Sequence, residues 1–107
     1  MLDLILELLR KAWAWLKKIW VKVCSFFKNI VAFFKDKYRL AKLQRNSDLI
    51  AVAIKQKLDN KEYNVVNCLF DKAKGEIQEA DTLVVQSESL DMETRQQFGN
   101  QDMIILN

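Results

Sequence analysis

The chain has 107 residues, half of them hydrophobic, with two Gly, no Pro, no His and a net charge of +3. That length holds one small domain, or a long helix plus a small module, and the composition excludes collagen-like and low-complexity chains. Without His there is no usual general base, no commonest metal ligand and no Ser-His-Asp or Cys-His constellation. A non-enzymatic protein without cofactor or metal is the expectation.

The charge is unevenly spread. Residues 1–45 carry eleven Lys/Arg against three Asp/Glu, and residues 46–107 carry six against eleven. Such asymmetry means that the basic half meets an anionic surface, or that the two halves meet each other. The predicted division is accordingly a basic amphipathic helix over 1–45 and a small acidic α+β module over 46–107.

Residues 1–43 contain neither Gly nor Pro. At 100° per residue, Glu7, Arg10, Lys11, Lys18, Lys22 and Arg39 fall on one side, and Ile5, Leu9, Leu16, Ile19, Val23, Phe27, Ile30 and Phe34 on the other. Glu7, Lys18 and Asn29, and likewise Lys17, Lys28 and Arg39, recur every eleven residues. That period keeps a helical stripe nearly straight. The pattern predicts one continuous helix, roughly 63 Å long at 1.5 Å per residue. No spanning segment is expected, because the longest uncharged stretch of this half is Asn29–Phe34, far below the ~20 apolar residues a bilayer needs.

A helix with so wide an apolar face needs a cover. The expected interface, with membrane or with copies of the chain, is Trp13, Trp15, Leu16, Ile19, Trp20, Val23, Phe27, Ile30 and Phe34. Lys11, Lys17, Lys18, Lys22, Lys28 and Lys35 are the expected contacts to anionic lipid. Trp at the polar boundary, with Lys beside it, describes a helix lying in a membrane interface. Packing into a homo-oligomer or filament through the same stripe is the second expectation. The run Leu9–Lys18 is similar in composition to pore-forming peptides, which makes a membrane-permeabilising toxin or bacteriocin the third. Nucleic acid is disfavoured, since on a helix the aromatics stand apart from the lysines and cannot stack on bases while the lysines hold phosphate.

Past a soft break at Arg45–Asp48, with Asn46 or Ser47 as cap, the spacing of Leu49, Ile50, Ala53, Ile54 and Leu58 predicts a second, shorter helix to about Asp59. Tyr63–Phe70 and Glu76–Gln86, joined through Asp71–Gly75, predict a β-hairpin. Ser89 or Asp91 caps a short helix carrying Leu90, Thr94 and Phe98 on one face, with Gly99 just past its end. Met103–Leu106 forms a closing strand. The acidic Glu76, Glu79, Asp81, Glu88, Asp91 and Glu93 have no calcium-loop spacing and read as a solvated face. Cys24 and Cys68, each among apolar residues, read as buried core thiols in a reducing compartment. Asp3 and Glu7 stand where a secretory signal carries positive charge, and Leu2 leaves no myristoyl acceptor. A cytoplasmic protein, peripheral at the membrane, is the expected location.

Overall fold

A computed structural model describes residues 1–107 and shows an α+β fold. Helix α1 (Leu2–Ala12) passes through a 3-10 turn (Trp13–Trp15) into strand β1 (Lys17–Cys24). A π-helical turn (Phe26–Val31) runs into the short α2 (Ala32–Phe34), and α3 (Lys37–Arg45) follows. Then come β2 (Leu49–Lys57), β3 (Tyr63–Asp71), β4 (Glu76–Leu90), α4 (Met92–Phe98) and β5 (Met103–Ile105). The strands form one sheet in the order β1-β4-β3-β2-β5, with β1 parallel to β4 and every other pairing antiparallel.

The basic half therefore forms no continuous helix. Lys17–Cys24 reads as a strand because Ile19, Val21 and Val23 alternate with Lys18, Trp20 and Lys22, a two-residue period in β-branched and aromatic residues. The eleven-residue recurrence of charge is real in the sequence but weaker than the sheet's demand for this strand. The chain leaves the helix without Gly or Pro: Ala12 remains near helical dihedrals, and Leu16 turns extended at φ −73°, ψ 140°. The stretch that resembled pore-forming peptides is thus the end of α1, the turn and the first two residues of β1.

The segment predicted as a second helix is β2. Leu49-Ile50-Ala51-Val52-Ala53-Ile54 is an unbroken apolar run, and all six residues are buried. Such runs are strands covered on both faces, and they imitate helical spacing because every position is apolar. The predicted hairpin, capped short helix and closing strand stand as β3–β4, α4 and β5.

Two cores lie on opposite faces of the sheet. On the first, Ile5, Leu9, Ala12 and Leu16 from the α1 segment meet Ile50, Val52, Ile54, Val66, Cys68, Phe70 and Val84. On the second, Cys24, Phe26, Ile30, Phe33, Phe34 and Phe98 meet Ala51, Ala53, Val65, Leu69 and Val85. The apolar stripe of the sequence is thus divided between both faces, and each half covers part of the acidic module. Fully burying one such side chain contributes about 1.5–3 kcal/mol. The two halves also meet through charge: Asp81 on β4 pairs with Arg39 (Nε–Oδ1 3.4 Å) and with Lys42, both of α3. Arg39 lies over the Phe33 ring at 3.8 Å.

Asp91 fastens the far end of β1. Its carboxylate accepts from the Thr94 amide (2.8 Å) and hydroxyl, capping α4, while the Asp91 amide donates to the Cys24 carbonyl (3.0 Å), which lies 3.1 Å from the Thr94 hydroxyl oxygen. The Thr94 hydroxyl is the main reason that the Asp91 carboxyl lies below its ordinary pKa of 3.8. Gly99 ends α4 at φ 57°, ψ −125°, a conformation that a side chain disfavours.

Both thiols are buried, and burial pushes each from 9.0 up to about 12, with the Asp91 carboxylate adding to the effect at Cys24. An unfolded thiol ionises near 9, whereas the native one keeps its proton to about 12. Stability is therefore undiminished by these groups below pH 9 and falls as pH rises from 9 towards 12. Folded protein at pH 8 is expected to resist a thiol-titrating disulfide reagent until urea unfolds it, when both cysteines react. Fast reaction of either thiol in the native protein would contradict this core.

Candidate functional site

Strand β1 closes one side of the sheet, and its outer backbone edge pairs with no other strand. Sheet edges of this kind, left with free N–H and C=O groups, are places where something else docks. The side chains along this edge add to that. Trp15 is 76% exposed, Trp20 57% and Phe27 62%, and Val23 is exposed with them. Lys17, Lys22 and Lys28 stand exposed in the same stretch, and no Asp or Glu occurs between Glu7 and Asp36. Large aromatics left in water among lysines are an arrangement that folding alone does not require.

Local structure explains the rim. On β1 the pleat sends Ile19 and Val21 towards the second core, leaving Trp20 with Lys18 and Lys22 on the face that α1 occupies. The π-helical turn buries Phe26 and leaves Phe27 outside, edge-on to it at 5.5 Å. Trp15 sits where β1 stops covering β4, since β1 pairs only with residues 83–90 of that strand. Two clefts of about 360 and 410 Å³ flank its indole, one lined by Leu8, Ile77, Glu76 and Glu79, the other by Lys17, Phe33, Arg39 and Leu83. The rim is therefore mixed in charge at Trp15, while from Trp20 to Lys28 its own residues carry no acid and the exposed Glu88 of β4 stands beside Lys22.

Of the nine expected interface residues, Trp15, Trp20, Val23 and Phe27 are exposed on this rim, and Trp13 and Ile19 are half-buried. Leu16, Ile30 and Phe34 are core residues, because the chain folds back on the sheet and needs them inside. Of the six lysines, Lys11 pairs with Glu7 at 3.6 Å on the exposed side of α1. Lys18 turns inward, donating to the Trp13 and Leu16 carbonyls with its ammonium 4.9 Å from the Trp13 ring centre. Lys17, Lys22 and Lys28 lie along the rim, and Lys35 lies beside α2 on an apolar cleft of about 340 Å³ formed by Phe26, Phe34 and Leu106 among others.

No three His, Cys, Asp or Glu side chains converge on a point that would hold a metal ion. No helix is long and apolar enough to cross a membrane. Comparison with known proteins finds no family model, no curated relative and no solved structure that matches the chain. Functional reasoning therefore rests on the rim and the clefts.

The relation between aromatics and lysines in this segment is that of a strand and not of a helix. As a helix, the segment keeps them apart; as a strand, it sets Trp20 between Lys18 and Lys22. The signal was present in Lys17–Cys24 as a two-residue alternation.

Proposed function

We propose that the protein is a non-enzymatic, peripheral membrane-associated module that docks its β1 edge on an anionic lipid surface. The observation that carries this reading is the exposure of Trp20 and Phe27 within a stretch containing Lys17, Lys22 and Lys28 and no acid. Trp settles at the boundary between headgroups and acyl chains, where its ring is covered and its N–H stays wet. Each nearby Lys adds about 1 kcal/mol of attraction to an anionic leaflet at modest salt. The rim is carried by a folded sheet edge, so docking needs no insertion of a free helix. Anionic lipid is typical of the cytoplasmic leaflet, which agrees with two unpaired cysteines.

Vesicle flotation tests the reading. Recovery with phosphatidylglycerol vesicles is expected to exceed that with phosphatidylcholine vesicles and to fall as salt rises. Equal recovery with both would end the anionic-surface reading.

A second reading, association of copies through the same edge, draws on the unpaired backbone of β1 and the apolar Trp20 and Val23 beside it. Opposing it, two β1 edges bring Lys17, Lys18 and Lys22 of both copies together, and edge lysines commonly prevent such pairing. Light scattering without vesicles decides between them: a monomeric mass at high protein concentration removes self-association.

A further inference from the structure

One helix cannot cover one face of a five-stranded sheet. Trp20 on that face stays 57% exposed, and a cleft opens along the flank of α1. Beside α1 the sheet therefore has an uncovered lane, and its floor is not apolar. Gln56 on β2 pairs in register with Asn64 on β3, Asn64 pairs with Gln86 on β4, and Gln86 pairs with Trp20 on β1. Register partners lie side by side on the same face, so three amides and an indole form one row, spaced about 5 Å apart. Alternation from Ile54, Val66 and Val84 sets that row on the α1 face.

The wall of the lane is the flank of α1. A cleft of about 430 Å³ is lined by Leu6, Leu9, Arg10 and Trp13 from the helix side and by Gln56 and Asn64 from the floor. Asn64 is only 5% exposed, and its Oδ1 has no hydrogen-bond partner. A buried amide oxygen left unsatisfied is costly, so the amide lining this cleft carries bonding capacity that the fold does not use. Arg10 is in no ion pair, and the Lys18 ammonium lies 4.9 Å from the Trp13 ring centre, next to this wall.

An aromatic wall, two side-chain amides at the floor and a guanidinium at the rim form a concave site with a few convergent polar groups. Their chemistry suits a flat, hydrogen-bonding, anionic molecule. Side-chain amides match the donor and acceptor pairs on a nucleobase edge, indole packs on its flat face, and Arg binds phosphate oxygens. We propose that this cleft is a nucleotide site: Trp13 packs the base, Gln56 and Asn64 read its edge, and Arg10, aided by Lys18, meets the phosphate. The nucleotide is either free or part of a single strand; in the second case the row to Gln86 and Trp20 gives the next base a place to lie. The cleft itself contains neither Trp20 nor Phe27, so binding of the monophosphate there holds or fails independently of lipid docking, whereas a strand reaching Trp20 would share that residue with the rim.

Titration of the whole protein, followed by Trp fluorescence, tests it with four probes: adenosine 5′-monophosphate, adenosine, inorganic phosphate and a ten-nucleotide single-stranded oligonucleotide. Saturable quenching by the monophosphate is expected, with adenosine weaker and inorganic phosphate weaker still. Arg10→Ala, on an exposed helix position, is expected to weaken the monophosphate about tenfold, the size of one charge-assisted contact, and to leave adenosine unchanged. Asn64→Asp, which keeps the shape, is expected to weaken both. Binding of the oligonucleotide with no response to the monophosphate also supports the site and assigns it to a strand. Phosphate binding as tightly as the monophosphate overturns base recognition. No saturable response to any probe, or binding unaffected by both substitutions, overturns the proposal outright.

Discussion

Phe34→Ala is expected to lower the free energy of unfolding by about 3–5 kcal/mol, and Phe27→Ala by less than about 0.5 kcal/mol. Both are phenylalanines of one basic segment, seven residues apart, and as one helix they would share an apolar face. In the fold they differ completely. Phe34 is buried against the second core, edge-on to Phe33 at 5.0 Å, and removing its ring leaves a cavity beneath the sheet. Phe27 is mostly in water, with its ring edge-on to Phe26. A domain of this size has roughly 5–15 kcal/mol in total, so the first substitution removes a large share of it. Urea unfolding followed by Trp fluorescence measures both. Equal and small effects would mean that the segment lies outside the core.

Trp20→Glu is expected to leave stability nearly unchanged and to weaken binding to anionic vesicles about thirtyfold. Half-inserting an indole contributes about 1 kcal/mol at ~25 cal/mol per Å². Placing a carboxylate beside Lys18 and Lys22 cancels roughly one lysine's worth of attraction, about 1 kcal/mol more. The total of about 2 kcal/mol corresponds to a factor near thirty. Lys22→Glu is expected to act through charge alone and to lose its effect at high salt, which Trp20→Glu does not wholly do. Vesicle titration at two salt concentrations separates the two contributions.

Much of the fold is legible in the sequence where local signals agree. Asp91 and Gly99 bracket α4 because one supplies a capping carboxylate and the other accepts a positive φ. Tyr63–Phe70 and the turn at Asp71–Gly75 announce the hairpin in the same way: the Asp71 carboxylate accepts from the Ala73 and Lys74 amides at 2.9 and 3.0 Å, and Gly75 takes φ 65°. What was illegible is the partner of each apolar face. Residues 1–45 contain enough apolar spacing for one helix, and only the sheet's two uncovered faces divide it into α1, a strand and a helical return.

The site was half legible for the same reason. Trp15, Trp20, Val23 and Phe27 stand out as exposed in either geometry, whereas Leu16, Ile30 and Phe34 are interface residues on a free helix and core residues here. The amide row is not legible in the sequence, because Gln56, Asn64 and Gln86 are distant along the chain and meet only through strand register. Single-chain patterning carries no information about cross-strand pairing until the order of strands is known.

The central claim is that a folded sheet edge, and not a free helix, meets the lipid. Quenching of single-Trp variants by brominated lipid in anionic vesicles tests it most directly. Trp20 is expected to be strongly quenched, Trp15 less so beside Glu76 and Glu79, and Trp13 little, since it is half-buried against Lys18 on the flank of α1, away from the rim. Equal and strong quenching of all three would mean that the segment enters the bilayer as a helix, and would contradict the account.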